Sequence, residues 1–357
     1  MTDTPADEVT RLLPQPGSDT GGPQRDLTVM GASAGGVQAL AEVVAGLPLE
    51  FPGAVLVALH VLPTGTSVLP QILERAGRLP AATAKHGEHL EQGRIYVAPP
   101  DYHLLVWEGR IQLSRGPREN GHRPAIDPMF RSAARTYGQR VIGVVLSGTL
   151  DDGTAGMRAI KESGGTTIAQ DPRDALYSGM PQSAIDHGTA DHVIPAGAIA
   201  DRMCDLVGAP LPARAETGAH ASAGPPPEIT LSLADSRNPR EGHATGLTCP
   251  DCGGTLWAHE EGDLLRFRCH VGHAYSTESM QSEQSRVLES ALWSALRGLE
   301  EQADLFRRVA RRSPGSSTAR RFEQRAVEAS HHADSIRNTI LTLGRPTAEN
   351  GSEVQIS

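Results

Sequence analysis

Large aromatic side chains are scarce: Phe, Trp and Tyr make up 4 % of the 357 residues, against 38 Gly and 26 Pro. That balance favours many tight turns and at least one flexible segment. Positive charge is also in deficit, with 33 Lys and Arg facing 42 Asp and Glu for a net charge of −9. Sequence-independent binding to nucleic acid needs a surplus of cations for the phosphates, so no nucleic-acid partner is expected. No apolar run approaches the length of a membrane span. Met1–Thr10 carries acids where a secretory leader needs basic and then apolar residues. The expectation is a cytoplasmic protein with no direct membrane insertion. Cysteines number four, three of them close together near the C-terminus, which fits a metal site in a reducing compartment better than a disulfide framework.

What is present reads as more than one domain. Residues 1–25 are polar and rich in Pro, Gly and Asp, and are expected to be disordered. Residues 26–207 form a catalytic-domain-sized segment in which short apolar runs alternate with helical patterns. Strands are predicted at Leu27–Met30, Ala54–Leu59, Arg94–Ala98, Val141–Leu146, Thr166–Ala169 and His192–Ile194, and helices at Val37–Ala45, Pro128–Tyr137, Gly153–Ser163 and Ala196–Leu206. The strands do not alternate apolar with polar residues, so both their faces are buried. This predicts an α/β fold with a doubly wound, mostly parallel sheet. His103–Trp107 and Arg110–Leu113 flank Glu108-Gly109 as a hairpin. Residues 208–245, with Gly224-Pro225-Pro226-Pro227, read as a flexible linker. A small zinc-ribbon-like module at 246–278, a helical hairpin at 279–344 and a disordered tail at 345–357 complete the chain. The linker has no periodic apolar pattern, so the two halves are expected to be independent.

Three strand ends carry residue types that make a nucleophilic site. The first strand runs into Gly31-Ala32-Ser33-Ala34-Gly35-Gly36 and a helix. A dinucleotide fingerprint needs glycine where Ser33 stands. The competing pattern, G-x-S-x-G, lets a sharp turn present a hydroxyl. There the free amide of Ala34 and the helix N-terminus can stabilise an oxyanion. A plain Gly-rich turn with Ser as N-cap is the bland alternative. Serine needs a base, and His60 follows the second strand directly; Asp151-Asp152-Gly153 follows the strand at Val141–Leu146. His103, His122, Asp101 and Asp127 compete for these roles or line the cleft.

In the order Ser33, His60, Asp152, the segment at about 27–205 resembles the catalytic domain of chemotaxis protein-glutamate methylesterases. The resemblance is carried by Gly31–Gly36, Leu59-His60-Val61, Tyr96-Val97-Ala98-Pro99, His122-Arg123-Pro124-Ala125-Ile126-Asp127, Leu146–Gly153, Ile168-Ala169-Gln170 and Gly179-Met180-Pro181. It implies that Ser33, His60 and Asp152, not Asp151, form the triad. It also implies hydrolysis of a glutamate methyl ester on a methyl-accepting chemoreceptor or related signalling protein, with glutamine deamidation as a side activity. No cofactor is expected for catalysis. Thr149 stands where the family usually has a methionine, next to the oxyanion environment. The family's phosphorylated receiver domain has no counterpart in the 25 residues ahead of the first strand, so activation by a phosphodonor is not expected.

Cys249-Pro250-Asp251-Cys252 and, after 16 intervening residues, Cys269-His270-Val271-Gly272-His273 have zinc-ribbon spacing. Cys249, Cys252 and Cys269 are the expected thiolate ligands of a structural zinc. His273 is preferred to His270 as the fourth, because neighbours in a strand point to opposite faces. Leu288, Leu292, Leu296, Leu299, Phe306 and Val309, then Phe322, Ala326, Ala329, Ile336, Ile340 and Leu343, predict two antiparallel helices. Two functions of different class follow: a serine-type methylesterase, or a non-enzymatic signalling adaptor that keeps the esterase fold. Retention of Ser, His and Asp together favours the enzyme.

Overall fold

The computed structural model describes residues 12–13, 24–207, 209, 211, 242–312 and 314–343; most of the expected disordered start, linker and tail lies outside them. They form two compact units, Met1–Met280 and Gln281–Ser357.

The first unit is built on a seven-stranded sheet of β1 (Leu27–Ala32), β2 (Ala54–Leu59), β3 (Ala81–Thr83), β4 (Arg94–Val97), β7 (Val141–Val145), β8 (Thr166–Gln170) and β9 (His192–Ile194). The order is β3-β4-β2-β1-β7-β8-β9, and every pair is parallel. The hairpin β5 (His103–Trp107) and β6 (Arg110–Ser114) stands apart as a two-stranded sheet. All residues of β1, β2 and β7 are buried, as unalternating apolar strands require. One face of the sheet packs on α1 (Gly36–Ala45), α2 (Leu69–Ala76) and α6 (Ala196–Leu206), through Leu40, Val43, Leu73, Ile199 and Met203. The other face packs on α3 (Ile126–Tyr137), α4 (Thr154–Glu162) and α5 (Gly179–Asp186), through Met129, Phe130, Met157, Ile160 and Met180. The sheet is thus doubly wound. Three elements went unpredicted from sequence: α2 and α5 carry Pro70 and Pro181 in their first turns, where proline is tolerated but reads as a breaker, and β3 is three residues long.

Also within this unit is a four-stranded antiparallel ribbon, β10 (His243–Thr248), β11 (Thr255–Glu261), β12 (Leu264–Cys269) and β13 (Ala274–Ser276). Here the expected independence of the halves does not hold. On β12, Arg266 is 6 % exposed and donates to Asp127 Oδ2 at 2.8 Å and Glu119 Oε2 at 3.1 Å, both in the sheet domain. Arg131 donates to both Glu119 oxygens, at 2.8 and 2.6 Å. Buried charges survive only when paired and hydrogen-bonded, so this cluster fixes the ribbon against the sheet domain. No sequence periodicity announces it, because the partners lie 139 and 147 residues apart.

The second unit takes in most of α7 (Thr277–Arg311) and all of α8 (Ser317–Leu343). Leu296, Ala333 and Ile340 form its core with Leu292, Leu299 and Ile336, and the Phe306 and Phe322 rings lie 5.7 Å apart. Leu288 and Leu343, expected to face inward, are 52 % and 59 % exposed. No described helix is long and apolar enough to cross a membrane.

Candidate active site and metal site

Because β2, β1 and β7 are neighbours, the segments leaving their C-terminal ends lie side by side. Those segments carry His60, Ser33 and Asp152. Strand neighbours are about 4.8 Å apart, a spacing that one imidazole bridges. His60 Nδ1 lies 3.0 Å from Ser33 Oγ, and His60 Nε2 lies 2.7 Å from Asp152 Oδ2. The ring nitrogen facing the serine is Nδ1, the reverse of the familiar triad orientation; proton relay needs only that the two nitrogens face opposite partners.

The serine turn is tied down from several sides. Gly35 adopts φ +72°, and a Cβ there would stand 2.7 Å from Ser147 Oγ. Ser33 N–H donates to Ser147 O at 2.9 Å, while Ser147 Oγ donates to Ala34 O at 2.8 Å and accepts from Tyr177 N–H at 3.0 Å. Gly148 is equally constrained, since a Cβ on it would lie 2.9 Å from Ser33 Cβ. Sequence reasoning gave no role to Ser147, which joins the Ser33 turn to the loop before α5, although it lies within the stretch Leu146–Gly153 that carries the resemblance. Ala34 sits in the turn beside Ser33, and Thr149 is exposed on the loop after β7.

Asp152 is 2 % exposed and accepts four hydrogen bonds. Oδ2 takes His60 Nε2 and Ile126 N–H at 2.8 Å; Oδ1 takes Asn120 Nδ2 at 2.8 Å and Asp127 N–H at 3.2 Å. Two of these donors form the N-terminus of α3, an end that favours negative charge. Burial alone would raise its pKa, but the His60 contact and these donors hold the carboxyl well below the usual range. These contacts favour its ionised form.

The competing residues have other partners. His103 is buried, with Nε2 donating to Pro117 O at 2.9 Å and Nδ1 accepting from Ala125 N–H at 3.3 Å, the mark of a satisfied core histidine. Asp101 pairs with Arg123 and Arg115. Asp127 Oδ1 accepts Gly153 N–H at 3.1 Å and Gly156 N–H at 2.7 Å, capping the start of α4. His122 stacks on His60 with ring centroids 3.6 Å apart and planes 13° from parallel. Burial, then the neighbouring His60 charge, lowers its pKa to about 4, so it lies on His60 as a neutral ring.

Asp151 points away from His60 and accepts Ser276 Oγ at 2.6 Å. Burial raises its pKa to about 7, although the Ser276 hydroxyl opposes the shift. A carboxyl raised in the folded state favours folding most below about pH 4, and that contribution is lost as pH rises through 7. Asp151→Asn should therefore flatten the decline in stability between pH 4 and 7. Urea titrations of both proteins at pH 4.5 and 8 check it; an unchanged difference between the two pH values would refute the assignment.

In the ribbon, Cys249, Cys252, Cys269 and His273 bring their ligand atoms within 4.8 Å of one another, and His270 is exposed outside the group. Cys252 and Cys269 sulfurs are 3.7 Å apart, and His273 Nδ1 is 3.6 Å from the sulfurs of both Cys249 and Cys269. A tetrahedral zinc with Zn–S near 2.3 Å requires S–S edges of about 3.8 Å, so the donor set fits that ion.

A doubly wound parallel sheet with serine, histidine and aspartate hydrogen-bonded in line at its strand ends defines the class: an α/β protein built around a Ser–His–Asp site. One part of the chain, residues 28–203, matches the model of the CheB methylesterase family. It is 40 % identical over 181 residues to a protein-glutamate methylesterase/protein-glutamine glutaminase of Anaeromyxobacter dehalogenans, covering 51 % of this chain and 53 % of the relative. A protein of the same designation from Methanosarcina mazei is 37 % identical over 191 residues, covering 51 % and 52 %. The chain spans about half the length of the curated relatives it matches. The crystal structure of the Thermotoga maritima CheB methylesterase catalytic domain aligns at 35 % identity over 51 % of this chain and 98 % of that one, with a TM-score of 0.49.

Proposed function

We propose that the chain is a serine-type protein-glutamate methylesterase acting on a methyl-accepting chemoreceptor or related signalling protein. The observation that carries this reading is the Ser33–His60–Asp152 line within the residues that match the CheB methylesterase family. The Ser33 hydroxyl adds to the ester carbonyl as its proton passes to His60 Nδ1. His60 Nε2–H stays hydrogen-bonded to ionised Asp152, which steadies the imidazolium. The negative oxygen faces the N-terminus of α1, with Ala34 N–H as a donor and Thr149 on the adjoining loop. Collapse expels methanol carrying the proton from Nδ1. Water then adds to the acyl-serine with Nδ1 as base, and glutamate leaves as Ser33 regains its proton. A glutamine side chain follows the same steps with ammonia as leaving group.

Exposed apolar residues support a protein substrate over a small ester. Leu62, two residues past His60, is 78 % exposed; Leu176 and Tyr177, packed beside the Gly35 turn, are 72 % and 45 % exposed. The reading is tested by methanol release from methylated receptor. Asp152→Asn should lower the rate by roughly 10^4 through the wrong His60 tautomer, whereas Asp151→Asn, away from the imidazole, should keep most of it. A larger loss in Asp151→Asn would move the orienting role one residue back.

The ribbon's metal is proposed to be a structural zinc on Cys249, Cys252, Cys269 and His273. Four protein donors fill a tetrahedral shell, so the ion's contribution is to hold the knuckles together. Purified protein should carry one zinc per chain by elemental analysis, and Cys269→Ser should carry much less. Equal zinc in both would refute this ligand set.

A further inference from the structure

One side chain joins the ribbon to the triad. Asn120, between β6 and α3, is 3 % exposed and lies at φ 51°, a region that asparagine tolerates better than most residues. Its amide nitrogen donates to Asp152 Oδ1 at 2.8 Å and to Asp127 Oδ2 at 3.2 Å. Its amide oxygen accepts Ser276 N–H at 3.0 Å, from the end of β13, and Ser279 Oγ–H at 3.1 Å, from the first turn of α7. Its own N–H donates to Ala274 O at 2.7 Å. The orientation of the amide is fixed by chemistry: ionised Asp152 can only accept, and the Ser276 N–H can only donate. Both donors and both acceptor positions of the amide are thereby used.

We propose that Asn120 is a positioning residue through which the docked ribbon sets Asp152, so that the ribbon governs the rate of the hydrolysis. This rests on the triad reading above. Without the Asn120 amide, Oδ1 keeps only the longer bond from Asp127 N–H, and the carboxylate is free to turn about its Cβ–Cγ bond. Oδ2 then loses alignment with His60. From the other side, removing the Ser279 hydroxyl, just past the ribbon in the first turn of α7, takes one of the two donors from the Asn120 oxygen and loosens the amide that holds Asp152. The turn at 269–273, closed by Cys269 N–H to His273 O at 3.0 Å, leads directly into Ala274 and Ser276, so the metal-ligand segment abuts this contact.

The experiment uses the full chain as wild type, Asn120→Ala, Ser279→Ala and the double variant. It measures kcat and KM for methanol release, melting temperature, and the resonance of the His60 ring proton in histidine-labelled protein. Asn120→Ala should lower kcat roughly tenfold, the value of one hydrogen bond to a charged group, with KM little changed. Ser279→Ala should lower kcat about threefold and, if it acts through Asn120, should add nothing in the double variant. The His60 resonance should move in both single variants. Multiplying effects in the double variant, or a His60 resonance unmoved by Ser279→Ala, would overturn the proposal. So would a Ser279→Ala defect wholly accounted for by a lower melting temperature. A wild-type chain that releases no methanol defeats the functional reading alone, and the resonance still decides the coupling.

Discussion

Ser33→Ala is expected to lower methanol release by a factor on the order of 10^4 to 10^6, a barrier increase of roughly 5–8 kcal/mol, while leaving the melting temperature within a degree or two. The rate effect is large because the hydroxyl is the atom that forms the new bond. His60 and the turn amides remain, but they have no nucleophile to act on. The stability effect is small because Ser33 Oγ has His60 as its partner rather than a buried backbone group. The turn itself is held by the Ser33 N–H to Ser147 O bond and by Gly35, which the substitution leaves in place. Alanine is also no larger than serine, so the close approach of Gly148 to Ser33 Cβ is undisturbed. Single-turnover assays on methylated receptor, run beside thermal melts, check both halves. Wild-type turnover in the alanine variant would dismiss Ser33 as nucleophile.

The largest expected loss of stability comes from Arg266→Met. Methionine matches the length of the side chain but removes the cation that Asp127 and Glu119 share. Breaking a buried ion pair from one side costs about 3–5 kcal/mol, because the remaining carboxylates keep their desolvation penalty. Arg131 stays 2.6 Å from Glu119 but only within 3.8 Å of Asp127, so the loss falls hardest on Asp127, which also caps α4 and whose N–H reaches Asp152. The pH dependence separates this cause from simple mispacking. Burial would raise the pKa of Glu119, but Arg131, Arg266 and Arg268 together hold it at about 2. A depressed carboxyl stabilises the fold above its unfolded value, near 4.5, and that contribution is lost as pH falls toward 2. Arg266→Met should shrink this acid-dependent loss as well as the stability at neutral pH. Urea unfolding at pH 7 and at pH 3 supplies both numbers; a cost below about 1 kcal/mol at pH 7 would mean that the pair is not the clamp inferred here.

The parallel sheet and the three strand ends could be read from the sequence because both depend on short-range patterns. Short, β-branched, unalternating runs such as Val141–Val145 read as buried strands, and Ser33, with Gly31, Gly35 and Gly36 close by, reads as part of a sharp turn. The choice of Asp152 over Asp151 was open to resemblance and not to local pattern, since adjacent acids differ only in which way the backbone turns them. What stayed hidden is long-range. Asn120 sits in Arg118-Glu119-Asn120-Gly121, which reads as an ordinary polar loop, yet both acid and amide there are buried. On β12, two arginines alternate with Leu265 and Phe267, a pattern that normally faces water; Arg266 and Arg268 instead turn inward to acids contributed by a distant segment. A polar linker says nothing about whether the modules it joins touch, which is why independence was the wrong expectation.

Synthesis runs from the N-terminus, and Arg266 follows Asp127 by 139 residues. At the usual pace of a ribosome that interval lasts roughly seven to thirty seconds. By its end all seven sheet strands have been made, but until then two acids destined for the interior have no Arg266 to meet them. Ser276 and Ser279, which hold the far side of Asn120, arrive later still. The nascent chain therefore carries its serine, histidine and aspartate, and Asn120 itself, before the far side of that amide is held, and ester hydrolysis should reach its full rate only once the ribbon has been translated and has docked.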